Sequence, residues 1–326
     1  MQLPLIAILG PTASGKTTRA VSLALTLDAE IVSADSRQVY KGMDLGTGKD
    51  IEEYAPLFEK YESQISGTNP GVHLIDICGA GSKYNLHQYL ADYYKAEHLI
   101  RSRNHNLILC GGTGMYAEAV LSGIRLPEVP EDRHFREAMR ETPLEELHRI
   151  LAEKKELHNT TDVDTHARAV RALEIARYYE MHPQAARLAD KSLAKRPDSI
   201  IFLIDIPREK RRERITRRML ARLEAGMDTE VRKLLQSGVS ADDLIYYGLE
   251  YKYVTLYVTG RITLNEMMTR LETAIHQFAK RQMTWFRGME RRGFRLHPLP
   301  YDLPADSFLA QAQSIIEAHS RPSTTH

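Results

Sequence analysis

The chain is nearly without cysteine: Cys78 and Cys110 stand alone among 326 residues and share no paired spacing. Neither a disulfide framework nor a zinc site is expected, and two small apolar thiols in a reducing compartment are. An excess of one charge sign is also lacking. The 44 Lys and Arg residues are balanced by 43 Asp and Glu for a net charge of +1. Overall charge therefore does not point to nucleic acid, and any basic surface has to be local. No apolar run approaches the ~20 residues that span a bilayer. No basic leader or cleavage site precedes the first strand-like stretch, Leu3–Leu9, so a cytoplasmic protein is expected. Internal repeats and low-complexity tracts are absent, and the histidines show no metal-ligand spacing.

What is present is 43% hydrophobic residues, enough for a sizeable core in one large domain or two. Five short apolar runs read as strands buried on both faces: Leu5–Leu9, Ile31–Ala34, His73–Ile77, Asn106–Cys110 and Ile200–Ile204. Helical stretches such as Thr17–Leu27 and Leu86–Arg103 lie between them. This alternation predicts an α/β core with a mostly parallel sheet. From Pro127 to Pro197 the pattern changes to helical spacing alone, over Arg133–Glu141, Leu144–Lys155 and Thr165–Tyr179. The expected organisation is a catalytic core of residues 1–123 and 198–320 with a helical insertion of residues 124–197. One long helix is expected over Ile262–Arg291, and a polar, disordered tail over 321–326.

The segment Gly10-Pro11-Thr12-Ala13-Ser14-Gly15-Lys16-Thr17 fits G-x-x-x-x-G-K-[ST] and sits between a buried strand and a helix. Its glycines let backbone N–H groups turn towards phosphate oxygens, and the helix N-terminus adds a positive dipole end. Lys16 supplies a point charge, and the Thr17 hydroxyl can ligate Mg²⁺. The loop therefore holds a diphosphate, of a nucleotide or of another substrate, without naming the reaction. Asp35 follows the second strand and should project towards the same edge of the sheet. An aspartate there can cap a helix, act as a general base or join a metal shell. The glycine-punctuated stretch Tyr40–Thr47 continues over that edge.

Taken together, Gly10–Thr17, Asp35-Ser36, Tyr40–Asp44 and Gly46-Thr47 resemble the tRNA dimethylallyltransferases, also called tRNA isopentenyltransferases. The resemblance continues through His73–Ile77, Gly111–Tyr116, Arg168–Glu174 and Ala279–Arg287, covering about Leu3 to Gly288. It implies a P-loop NTPase-like core and transfer of a dimethylallyl group from dimethylallyl diphosphate to N6 of adenosine 37 in tRNA. By that likeness the loop holds the prenyl diphosphate, Asp35 is the general base, and Arg214 and Arg218 steady the diphosphate, with Mg²⁺ as cofactor. Asp35, Ser36, Arg37, Gln38, Thr113, Arg136, Arg168, Arg171, His276, Gln277, Lys280, Arg281 and Gln282 are the expected RNA contacts of a monomeric enzyme.

The residues agree with such a task. Arg208–Arg222 carries eight basic residues against Glu209 and Glu213, at spacings that can turn one face towards phosphate. His276-Gln277 with Lys280-Arg281-Gln282 mixes amide and guanidinium groups suited to base edges and backbone. Trp285 is expected in the core. The chain departs from the family pattern at Gly248-Leu249-Glu250, where a basic third residue is usual. It departs also at Tyr84-Asn85 for Tyr-Ser, at Asp164–Ala167, and in a lengthened Glu52–Asn69. Glu250 is thereby expected remote from Asp35, either beside the RNA or paired with a cation such as Lys252 and facing solvent. The rival readings are an adenylate isopentenyltransferase and a P-loop small-molecule kinase. The helical insert and the basic 276–282 stretch argue against the first, since a mononucleotide needs neither; release of diphosphate or of ADP separates the second.

Overall fold

The computed structural model describes residues 2–66, 69–154, 165–190 and 193–320. The tail 321–326 and Asp164 lie outside these.

Four of the five apolar runs form the strands expected of them. Strands β1 (Leu5–Leu9), β2 (Ala29–Ser33), β3 (Val72–His73), β4 (Asn106–Gly111), β5 (Ser199–Asp205) and β6 (Leu296–Pro300) build one parallel sheet. Their order is β3-β2-β4-β1-β5-β6. Helices cover both faces, which is why β1 shows no polar alternation and is buried throughout.

The run His73–Ile77 departs from expectation. Pairing stops after His73, and Leu74 and Asp76 take left-handed backbone at φ 62° and 56°. The turn brings Asp76 to the buried ammonium of Lys49, which also holds the Tyr40 carbonyl at 2.7 Å and Asp44 at 2.6 Å. A tertiary ion pair has overridden local strand propensity. Strand β6 was not legible because Pro298 and Pro300 interrupt it. Proline lacks an N–H, and β6 tolerates two because it is an edge strand.

The helices flanking the first strands include α1 (Lys16–Leu27), α2 (Leu86–Ser102) and α3 (Gly114–Leu121). The α2 start explains one departure from the family pattern. Asn85 accepts the Gln88 N–H at 3.0 Å while the Gln88 side chain accepts the Asn85 N–H, so Asn caps as well as Ser would. Ile6, Ile8, Ile31, Ile108 and Phe202 fill the sheet-side core. Full burial of such side chains contributes about 1.5–3 kcal/mol each.

After the sheet crosses to β5 come α4 (Arg208–Glu224), α5 (Met227–Gln236), α6 (Leu249–Val258), α7 (Leu264–Arg291) and α8 (Ala305–Ser320). The long helix predicted over 262–291 is α7, opened by a Thr263–Glu266 capping box. Its 28 residues extend about 42 Å at 1.5 Å per residue. A second core of Val39, Met219, Tyr247, Tyr251, Leu271 and Ile275 lies under these helices.

The chain divides into two compact units, Met1–Leu121 with Pro197–His326, and Ser122–Arg196. The second unit contains four helices and no strand among its described residues: Arg133–Ala138, Leu144–Lys154, His166–Met181 and Pro183–Ala189. Leu147, Leu151, Ala169, Val170 and Leu173 form its core. The last helix escaped the sequence reading; its first residue is Pro183, whose fixed φ suits a helix start. No helix among the described residues is long and apolar enough to cross a membrane.

Candidate active site

Three strand ends converge on one edge of the sheet. The loop after β1, Asp35 after β2 and Gly112-Thr113 after β4 line a cleft of about 460 Å³. In a parallel sheet this is the edge where crossovers diverge and leave a crevice. The cleft is walled on the other side by α4, the start of α6 and one face of α7.

The loop is held open by its neighbours. Ala13 (φ 62°) and Gly15 (φ 81°) are left-handed, which curls the chain around a point where successive N–H groups can meet an anion. No side chain caps the start of α1, so its first N–H groups are left for a ligand. Thr12 to Thr17 line the cleft, while Gly10 and Pro11 are buried beneath them. From α4, Arg214 donates to the Ala13 carbonyl at 2.8 Å and Arg218 to the Thr12 hydroxyl. From α7, Gln282 accepts the Thr12 N–H at 2.9 Å and donates to the Gly112 carbonyl at 2.8 Å. A Cβ at Gly112 would stand 2.7 Å from the Gln282 amide nitrogen, so any larger residue there displaces that amide from the loop.

The residues expected at the site divide into two groups. Lys16, Asp35 and Arg218 come together in the cleft as predicted. Arg214 lies outside the lining and braces the loop from behind. Gln282, expected among the RNA contacts, is buried and committed to the loop. Asp35 has both local and outward roles: its carboxylate accepts the Arg37 N–H at 3.0 Å, closing its own turn, and faces the cleft. Ser36 donates its N–H to the Thr113 hydroxyl at 3.1 Å, tying the β2 and β4 ends together. Gln38 is bound to Ser33 at 2.8 Å and to the Gly48 carbonyl at 3.2 Å, which holds the loop over the cleft floor. That loop is fixed further by Glu230, which accepts the N–H groups of Asp44, Leu45 and Gly46 and the Tyr251 hydroxyl.

Electrostatics favour a polyanion beside Lys16. Burial pushes the Lys16 ammonium down from its ordinary pKa. Burial, with Arg222 next to it, pushes the Arg218 guanidinium down to about 10. Each cation thus lacks enough negative partner and gains from an added one. Asp50 pairs with Arg222 at 2.8 Å and Arg218 at 3.7 Å. Burial alone would raise its carboxyl, but the two arginines hold it below the usual range.

Glu250 corrects an expectation. It lines this cleft with Asp35, Arg218 and Arg222 instead of standing remote from them. Burial pushes its carboxyl up, against the pull of Arg222 and Arg218. Trp285 corrects another. It is 41% exposed at the cleft mouth, with Phe278 and Met115. Residues 278, 281, 282 and 285 follow the i, i+3, i+4, i+7 spacing, so one face of α7 carries them all to the cleft. Arg281 is there too, whereas His276, Gln277 and Lys280 point from α7 into a different cleft.

In the helical unit, Arg136 and Arg171 both grip Glu174, whose carboxylate is buried. Arg136 reaches it at 2.9 and 3.0 Å, and the Asp132 N–H at 2.6 Å. Arg168 is exposed on the same helix as Arg171. Asp50 gave no signal in the sequence; Arg222 was visible only as part of the basic run and Glu250 only as a departure from the family pattern, since long-range packing alone brings all three to the loop.

Hard oxygen donors are available for Mg²⁺ at the Thr17 hydroxyl and at Asp35, both in the cleft lining. The described residues hold no cluster of three or more His, Cys, Asp or Glu that could ligate a metal by themselves. This donor set fits a cation carried largely on substrate phosphate oxygens, as Mg²⁺ commonly is.

The sequence pattern of the IPP transferase family matches residues 38–289, and that of isopentenyl transferase residues 3–57. A tRNA dimethylallyltransferase 2 of Bacteroides fragilis is 55% identical, over 93% of this chain and 94% of its own length. A tRNA dimethylallyltransferase 1 of Porphyromonas gingivalis is 52% identical, over 97% and 99%. Among solved structures, the tRNA isopentenylpyrophosphate transferase of Bacillus halodurans superposes with a TM-score of 0.65 at 26% identity. That match covers 98% of this chain and 97% of the other. On these matches, over most of the chain, the protein belongs to the IPP transferase family of tRNA dimethylallyltransferases.

Proposed function

We propose that the chain transfers the dimethylallyl group of dimethylallyl diphosphate to N6 of adenosine 37, 3′ of the anticodon, in tRNAs reading codons that begin with U. The products are N6-dimethylallyladenosine and diphosphate. The observation that carries this reading is the meeting of a diphosphate-gripping loop with the Asp35 carboxylate in one cleft open at an aromatic mouth.

The adenine amine is a weak nucleophile because its lone pair is delocalised into the ring. As its nitrogen bonds to the allylic carbon, the bond from that carbon to the diphosphate oxygen breaks. The amine proton passes to Asp35, a step worth roughly 10²–10⁴-fold. Charge growing on the leaving diphosphate meets the loop N–H groups, Lys16 and Arg218. Mg²⁺ would supply further Lewis-acid stabilisation at those oxygens, held with Thr17. The target base has to leave its stack to enter, and Trp285 and Phe278 at the mouth offer apolar faces to receive it. A cytoplasmic, monomeric enzyme suits this substrate.

Asp35→Asn keeps the turn to Arg37 and removes the base. Turnover of tRNA with dimethylallyl diphosphate should fall by at least a hundredfold while the donor KM stays near wild type. Retention of more than about a tenth of the activity excludes the role. Replacing tRNA by AMP, and the donor by ATP, tests the adenylate-prenylating and kinase readings in the same assay. Product with either would replace this one.

A further inference from the structure

Trp285 is the single tryptophan of the chain, and its place at the cleft mouth is fixed by two charged residues that do not line the cleft. Arg292, just past the end of α7, folds back along the helix. Its guanidinium carbon lies over the indole, 5.4 Å from the ring centroid. The same guanidinium donates to both carboxylate oxygens of Glu118 on α3, at 2.6 Å each, and to the Trp285 carbonyl at 3.4 Å. We propose that Arg292, anchored by Glu118, is a positioning residue that holds the Trp285 indole at the cleft mouth and so sets the slot through which the target base enters. The proposal rests on the prenyl-transfer reading above.

Three observations carry it. First, the ion pair is not of the ordinary surface kind. Exposed pairs usually contribute little, because two long side chains have to be ordered in water. Here the Glu118 side chain is only 16% exposed, and the guanidinium fork meets both of its oxygens. Such a fork fixes direction as well as distance, which a lysine ammonium would not. Second, two glycines make room for the parts. A Cβ at Gly288, in the last turn of α7, would have three atoms of Arg292 as its nearest neighbours, the closest at 2.7 Å. Glycine in a helix costs stability relative to alanine, and the passage of the guanidinium gives the reason for one here. A Cβ at Gly114, which opens α3, would stand 2.7 Å from the indole Cγ and 2.8 Å from Nε1. The pyrrole part of the indole is thus seated on bare backbone. Third, the core does not hold this ring. With 41% of the residue exposed, burial leaves its rotamer weakly determined, and an anchored cation over the ring removes that freedom.

The consequence for the reaction lies in the acceptor. A base that has left its stack is received best by a ring already in place, because ordering the receiving side chain subtracts from binding. Arg292 acts through Trp285, and Glu118 acts through Arg292. The diphosphate, gripped by the loop with Lys16 and Arg218, does not depend on either.

The test uses full-length protein, in which Trp285 alone supplies the tryptophan emission. The variants are Glu118→Gln, Arg292→Met, Arg292→Lys and Gly288→Ala. In each, the free protein should show Trp285 more readily quenched by acrylamide and with lower emission anisotropy than wild type. The kcat/KM for unmodified tRNA should fall roughly two- to fivefold, the factor an exposed cation–π contact is worth, with the KM for dimethylallyl diphosphate unchanged. Gly288→Ala separates positioning from folding, because alanine favours the helix and Tm should not fall while the indole loosens. Arg292→Lys separates positioning from simple attraction of phosphate, because it keeps the charge and loses the fork. Full tRNA activity in Arg292→Lys beside a loss in Arg292→Met would overturn the proposal. So would quenching unchanged in Glu118→Gln and Gly288→Ala, or a loosened indole with unchanged tRNA kinetics and affinity. Quenching, anisotropy and tRNA affinity are read without turnover. Failure of the wild type to prenylate tRNA would therefore sink the proposed function and leave this comparison intact.

Discussion

Replacing Gln282 by Ala should weaken the diphosphate donor, and the structure sets the size of the effect. The Gln282 amide accepts the Thr12 N–H at 2.9 Å and donates to the Gly112 carbonyl at 2.8 Å, bridging the loop after β1 to the end of β4. Each such bond contributes about 0.5–1.5 kcal/mol net, so their loss removes about 2 kcal/mol of loop preorganisation. At 1.36 kcal/mol per tenfold, the donor KM should rise roughly thirtyfold if the whole loss falls on donor binding. The tRNA KM should move little, because Gln282 is buried and turned to the loop. Gln282→Glu sharpens the test. A carboxylate can still accept from Thr12 but meets the Gly112 carbonyl with repulsion and stands near the diphosphate, so it should be worse than Ala. Steady-state kinetics varying each substrate in turn, with thermal unfolding as a control, reads these effects. A raised tRNA KM with an unchanged donor KM would refute the reasoning and return Gln282 to the RNA.

Glu250→Gln should lower the donor KM, because it removes a carboxylate that shares the cleft with Arg218 and Arg222. The carboxyl of Glu250 is raised by burial, so the stability it contributes is present below the ordinary carboxylate pKa and lost as pH rises through the raised value. The variant should accordingly gain more in Tm at pH 8 than at pH 4, and an equal gain at both would contradict the placement. In the helical unit, Glu174→Gln should destabilise by about 1–3 kcal/mol, since it leaves Arg136 and Arg171 without their shared carboxylate. Burial works to raise the Glu174 carboxyl, but hydrogen bonds from Arg136 and Arg171 hold it below the usual range, so this stability is present above the ordinary carboxylate pKa and fades as pH falls. Amide exchange in His166–Met181 should speed up in the variant at pH 7 and converge with wild type in acid.

The sequence by itself determined the strand–loop–helix that carries Lys16, the Asp35 position at the next strand end, and the parallel core. It also determined the helical character of the second unit. These are local properties: a doubly buried strand is an unbroken apolar run, and a phosphate loop is a spacing of glycines before a helix. Tertiary structure alone decided the rest. Whether Gln282 faced RNA or the loop depended on the rotation of α7, which places Gln282 and Trp285 on one face and Lys280 on another. Whether Glu250 met solvent or Arg218 depended on the tertiary placement that brings the start of α6 and α4 to one cleft. His73–Ile77 turned where a strand was expected because Lys49, distant in sequence, drew Asp76 to it. The proline-broken β6 became a strand because its outer edge needed no donors. In each case the deciding interaction joins residues far apart in the chain, and no local pattern encodes such a meeting.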